Sequence, residues 1–146
     1  MQLDNLYQEV ILDHYKHPEN KGLAPSYDAQ VHHINPSCGD EITLNLTLQG
    51  QKVSAISWDG VGCSISQASS SVMSELTQGI PVEKALQLEE SFLELMQGKG
   101  EVVADEEELE DAIAFSGVAR YPARVKCALL GWMALKDALL RAGGSK

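Results

Sequence analysis

The sequence predicts an α+β fold: a small antiparallel sheet of about three strands packed against several helices, in a single domain over residues 1–146. Two observations carry the sheet. Ile42, Leu44, Leu46 and Leu48 alternate with polar residues, the period of a strand with one face covered. The tight connection QGQ at 49–51 then leads into a return run, KVSAISWDG. A third observation carries the helices: apolar residues recur at three- and four-residue spacing on both sides of this hairpin. Strands in one block with helices outside it give an α+β rather than an alternating pattern.

In chain order, Leu3, Leu6, Tyr7, Val10, Ile11 and His14 predict an amphipathic helix over 3–15. Pro18, Asn20, Gly22 and Pro25 mark 16–28 as loop. A weak strand is expected at 29–34, followed by the hairpin. After GVGC, Ser64 with Gln67 three residues on resembles a capping box, and Ile65, Ala68, Val72 and Leu76 form one face of a helix. Pro81 opens another helix that buries Val82, Ala85, Leu86, Phe92, Leu93 and Met96. The acidic stretch GKGEVVADEEELEDAIAFSG is read as a short helix carrying Leu109 and Ile113 inward, its carboxylates solvated. A last helix is expected from Tyr121-Pro122 to about Arg141, stopped by Gly143-Gly144.

Charge narrows the function. The net charge of -10 argues against nucleic-acid binding, because phosphate contacts need clustered Lys and Arg. No apolar run approaches the roughly 20 residues that span a bilayer. The start, MQLDNLYQEV, lacks the basic and apolar regions of an export signal, so a cytoplasmic address is expected. In that setting the three cysteines, Cys38, Cys63 and Cys127, read as metal ligands or reactive thiols rather than disulfides.

Each cysteine falls at the edge of an element. Cys38 lies in the turn before the first strong strand, Cys63 follows the flexible GVG, and Cys127 sits in the second turn of the last helix. Cys38, Asp40, Cys63 and Cys127 together would offer three sulfurs and one oxygen, a set that tetrahedral zinc accepts. Most structural zinc sites use only Cys and His, so the aspartate hints at an exchangeable site. Arg124, one turn before Cys127 on the same helix face, and Lys126 are placed to offset the negative charge of such a centre. Taken singly, each cysteine reads as a small buried residue and Asp40 as a turn residue. Only their combination raises a metal or reactive-thiol site to equal standing. His14 is read as a packed helix residue, His17 as capping or leaving that helix, and His32 and His33 as split between the two sheet faces. Trp58 and Trp132 are read as packing residues, and the serines of SQASSS as allowing close helix approach.

The segments DHYKHPENKG, NPSCGDEI, GVGCSISQASSSVM, MQGK and FSGVARYPARVKCALLGWMALKDAL closely resemble the SufU-type branch of the IscU/NifU-like iron–sulfur assembly family, in order and over nearly the whole chain. The resemblance implies an IscU/SufU-like fold and a zinc-dependent sulfurtransferase. It implies Zn2+ held by Cys38, Asp40, Cys63 and Cys127, with Cys38 as the sulfur acceptor and Arg124 beside it. The implied partners are the cysteine desulfurase SufS as persulfide donor and the SufBCD complex, through SufB, as recipient. IscU-type scaffolds carry a histidine immediately before the last cysteine, where this chain has Lys126; they also lack the insertion that residues 98–117 resemble. Both features favour a sulfur carrier over a cluster scaffold, since a protonated lysine has no lone pair to donate.

Overall fold

The computed structural model describes residues 2–36, 39–98 and 106–144. Helix α1 (Gln2–Lys16) is followed by strands β1 (Ala29–Asn35), β2 (Asp40–Gln49) and β3 (Lys52–Val61). Then come α2 (Ser64–Thr77), α3 (Val82–Gln97), a single turn α4 (Glu106–Leu109), a 3₁₀ segment (Glu110–Arg120) and α5 (Pro122–Leu139). The sheet is antiparallel in the order β1-β2-β3, so the expected α+β class is what the chain adopts. Among the described residues no helix is long and apolar enough to cross a membrane.

Register fixes where the sheet ends. Asn35 pairs with Asp40 and Glu41 with Val61, so the β1–β2 loop and the β3–α2 connection emerge side by side at one edge. The opposite edge closes at Gln49–Lys52 across a two-residue turn. Ile42, Leu44 and Leu46 are buried as the alternation requires, and Leu48 is half-buried beside a bulge at Thr47/Leu48. The covered face meets α5, which lies across β1 and β2, and α2, which packs against β3, α1 and α5. Side chains of this size contribute roughly 1.5–3 kcal/mol each when fully buried.

Beyond its first turn helix α2 is buried almost all round, Ser66, Ser69, Ser70, Ser71 and Ser74 included. Small side chains there let α5 approach closely: a Cβ on Gly131 would overlap Ser70. Ser69 donates to the Ala128 carbonyl at 2.7 Å and accepts from the Trp132 indole N–H at 3.1 Å, so the buried hydroxyl has both roles filled. Phe92 of α3 stacks on Trp132 with ring centres 4.6 Å apart, and Phe115 meets Phe92 edge-on at 6.0 Å. This aromatic group joins α3, the 3₁₀ segment and α5. Trp58 is fully buried and donates to the Glu19 carbonyl, pinning the 17–28 loop along β3.

Three expectations are corrected. Helix α2 has Cys63, not Ser64, at its N-cap and no side-chain capping bond. The capping box fails because the Gln67 N–H, which Ser64 would have to cap, donates to the Cys63 carbonyl, and the Gln67 side chain accepts from Lys21 instead. In α3 the deeply buried face carries Leu88 and Leu95, with Leu86 and Leu93 half-buried; the helix has two apolar stripes, and docking on α5 selects between them. The acidic stretch forms a short α-turn and then eleven residues of 3₁₀ helix; Leu109 is buried, Ile113 half-buried, and Ala112 and Phe115 fill the core. Residues 99–105 of that stretch lie outside the described residues.

The far end of α5 is stapled to β1. His33 Nε2 lies 2.9 Å from Asp137 Oδ2, and Arg141 Nε donates to Asp137 Oδ1 at 2.7 Å. The hydrogen bond from His33, helped by Arg141, holds the Asp137 carboxyl below its ordinary value, against a smaller opposing effect of burial. A carboxylate depressed in the folded state stabilises above its unfolded pKa and loses that contribution as pH falls through the folded value. Asp137→Asn is therefore expected to cost roughly 0.5–1 kcal/mol at neutral pH, about the worth of a partly exposed ion pair. In urea titrations the gap from the native chain should close as the pH drops through the acidic range.

Candidate metal centre

The edge of the sheet where β1, β2 and β3 terminate is also where α2 and α5 begin, and three chemically capable side chains meet there. The Asp40 carboxylate, the Cys63 thiol and the Cys127 thiol each place a ligand atom within 4.8 Å of the others. Asp40 is fully buried and Cys127 nearly so, while Cys63 is partly open to solvent. Each arrives by a different route. Asp40 is the first residue of β2, Cys63 is the N-cap of α2, and Cys127 lies in the second turn of α5.

Local chemistry fixes these positions. Asp40 Oδ1 accepts the backbone N–H of Cys63 at 2.9 Å, which locks the carboxylate to the start of α2. Ser66 donates to the Cys63 carbonyl, and Cys127 makes a weak S–H contact of 3.7 Å with the Ala123 carbonyl. Gly39 has φ +71 in the turn just before Asp40, a conformation that a side chain resists. Gly62 is more constrained still: a Cβ there would overlap the Asp40 carboxylate and the Ser66 hydroxyl.

Of the residues that the sequence singles out, the structure brings Asp40, Cys63 and Cys127 together. Cys38, the fourth member of the expected set, lies outside the described residues. Arg124 stands on an exposed turn of α5 one turn before Cys127, its backbone N–H bonded to the Tyr121 carbonyl. Gly62 is the residue that sequence reasoning missed. The GVG run reads as flexibility, yet its second glycine serves close approach, and the only sequence signal was its position directly before a cysteine.

His14, Glu75 and Asp111 also bring ligand atoms within 4.8 Å of one another. Here the buried imidazole already has partners: Nδ1 meets Ser71 Oγ at 2.8 Å and Nε2 meets Asp111 Oδ2 at 3.0 Å. Burial raises Glu75 above the ordinary carboxylate range, His14 pulling the other way. His14 is thus the packed residue that its helical position predicts, and it ties α1 to α2 and the 3₁₀ segment. His32 is exposed beside Glu41 and Thr43, and His33 is the α5 staple.

Two thiols and a carboxylate around one point suit a borderline-soft divalent cation such as zinc. Gly62→Ala is expected to push Asp40 off this point and weaken zinc binding by about tenfold, the usual cost of disturbing ligand support. Competition with a chromophoric chelator measures this, with circular dichroism to check that the fold persists.

The model of the NifU-like N-terminal domain family matches residues 6–128. The zinc-dependent sulfurtransferase SufU of Bacillus subtilis (strain 168) is 43% identical over 142 residues, covering 97% of this chain and 95% of the relative. The iron–sulfur cluster assembly scaffold protein IscU of Streptococcus pyogenes serotype M1 is 39% identical over 144 residues, 99% and 89% of the two chains. A crystal structure from Fervidobacterium islandicum AW-1, described as an iron–sulfur cluster assembly scaffold protein for the SUF system, superposes with a TM-score of 0.83. It shares 37% identity and covers 90% of this chain and 94% of that one. The sheet edge that gathers Asp40, Cys63 and Cys127 thus sits in a chain that belongs to the NifU-like N-terminal domain family of iron–sulfur cluster assembly proteins.

Proposed function

We propose that this protein is a zinc-dependent sulfur carrier, which accepts persulfide sulfur on Cys38 from the cysteine desulfurase SufS and relays it to SufB of the SufBCD complex. The observation that carries this reading is the convergence of Asp40, Cys63 and Cys127 within 4.8 Å, in a chain so similar to a relative named as a zinc-dependent sulfurtransferase. Asp40, Cys63 and Cys127 would hold the zinc, with Cys38 from the adjacent loop as the fourth ligand. Bound zinc supplies a positive charge that keeps its cysteine ligands as thiolates at neutral pH.

The transfer itself is thiol exchange. The Cys38 thiolate attacks the terminal sulfur of the donor's persulfide, and the donor's S–S bond breaks. The donor cysteine leaves as a thiolate, and the terminal sulfur keeps its proton and becomes the outer sulfur of a Cys38 persulfide. Arg124 pairs with the anionic sulfur during this exchange; its exposed guanidinium has no hydrogen-bond or ion-pair partner among the described residues and is free to do so. The setting is the cytoplasm, where thiols stay reduced.

A second reading, an IscU-type scaffold on which a cluster is built, is favoured by the similarity to proteins named as scaffolds. Lys126, exposed on α5 next to Cys127, favours the carrier, because a protonated amine donates no electron pair to iron. Incubation with SufS and cysteine tests the choice. The native chain should stay colourless, contain zinc and raise desulfurase turnover, whereas a brown, cluster-bearing product would favour the scaffold. Cys38→Ala should fall to background in sulfur acceptance; native-rate acceptance by that variant would remove Cys38 as the nucleophile. Asp40→Ala should lower zinc affinity by roughly 10- to 100-fold.

A further inference from the structure

Beside the metal centre, on the side away from the sheet, lies a cavity of about 450 Å³ between α1, the 3₁₀ segment and the first turns of α2 and α5. Its walls include Ile11, Ile65, Val118 and the ring of Tyr121, which is 62% exposed at the rim. Arg120 and Arg124 also line it.

These two guanidiniums are unusual for this chain. It carries a net charge of -10, and Arg120, Arg124 and Arg141 are its only arginines. Arg141 pairs with Asp137. Neither Arg120 nor Arg124 has a hydrogen-bond or ion-pair partner among the described residues, although both stand in a protein rich in carboxylates. The 3₁₀ segment ends at Arg120 and α5 begins at Pro122, and the break at Tyr121 brings both arginines to one cavity from two separate elements. Ser64, the first residue of α2, lines the same space, so two long helices start at its wall with their positive ends nearby. A planar guanidinium presents paired donors that match the oxygens of a carboxylate or phosphate. Ile11, Ile65, Ala114, Val118 and Tyr121 make much of the remaining wall apolar, beside the polar Gln8 and Ser64, and a bare inorganic ion would leave that apolar part unused.

We infer that this cavity binds a small organic oxyanion, a carboxylate or phosphate carried on an apolar or aromatic body, with Arg120 and Arg124 holding the charged end. The volume is that of a small-molecule site, typically about 300–1,000 Å³. The occupied site would set the charge and water access one helical turn from Cys127. It is separate from the metal ligands and needs no change in their geometry.

Titration of the isotopically labelled full chain with phenylacetate, phenyl phosphate and the neutral 2-phenylacetamide tests this by amide NMR shifts. At least one anion should move the Ser64, Ile65, Val118 and Tyr121 signals in a saturable way, and the neutral amide should not. Tighter binding of phenylacetate assigns a carboxylate ligand, and tighter binding of phenyl phosphate assigns a phosphate ester. Arg120→Gln should weaken binding by roughly tenfold or more, the cost of a lost charge-assisted contact, while leaving zinc content unchanged. Gly117→Leu gives an independent check. A Cβ at Gly117 meets nothing within 4 Å, so the larger side chain narrows the cavity with both charges intact and should abolish binding. Equal binding of the neutral amide, full affinity in Arg120→Gln, or shifts that map elsewhere would overturn the inference. So would binding of an acidic, aromatic hexapeptide where neither small anion binds, which would make the cavity a protein-docking groove.

Discussion

The contact between the Asp40 carboxylate and the backbone N–H of Cys63 is the joint on which the site depends. It spans 23 positions in sequence and ties the first residue of β2 to the first turn of α2. A buried carboxylate is costly unless its oxygens are matched by donors or a cation. One oxygen is matched by the helix start, where the backbone N–H groups carry partial positive charge. The carboxylate is thereby held beside two thiols, where a cation would compensate charge that burial otherwise penalises. Gly62 makes this possible by having no side chain, so the strand end and the helix start meet at a distance that no other residue permits.

Around that joint the fold supplies rigidity from two directions. The hydrogen-bonded hairpin places Asp40, and the α2–α5 pair places both sulfurs. The close approach of those helices rests on small residues, Gly131 against Ser70, and on hydroxyls whose partners are all inside the protein. The site therefore sits where three well-packed elements terminate rather than on a free loop. This gives the candidate metal centre a fixed frame.

Much of this was readable from residue order alone. The alternation from Ile42 to Leu48 reports the sheet because the strand period is insensitive to what packs on it. The placement of each cysteine at an element edge, with Asp40 two residues after Cys38, was a true signal of convergence for Asp40, Cys63 and Cys127. What escaped is non-local. Ser64 and Gln67 match a capping pattern that local spacing favours, but the N-cap falls one residue earlier at Cys63, the Gln67 N–H donates to the Cys63 carbonyl, and Lys21 of the 17–28 loop takes the Gln67 side chain. The choice between Leu86 and Leu88, or Leu93 and Leu95, depends on which stripe of α3 meets α5. Arg120 carried no signal, since its meaning comes from the break at Tyr121 that turns it toward the same space as Arg124.

The 3₁₀ segment has a consequence for motion. Runs of this helix beyond three or four residues are uncommon because its hydrogen bonds are poorly aligned, yet Glu110–Arg120 sustains eleven. It starts at Glu110 with φ +47, a left-handed backbone that a glutamate resists. What keeps it folded is tertiary: Phe115 against Phe92, Leu109 in the core, and Asp111 on His14. Such a stretch is the natural first unit to open under native conditions. Its amides would trade protons with solvent before those of the sheet, and each opening would briefly bare the part of α5 against which it packs.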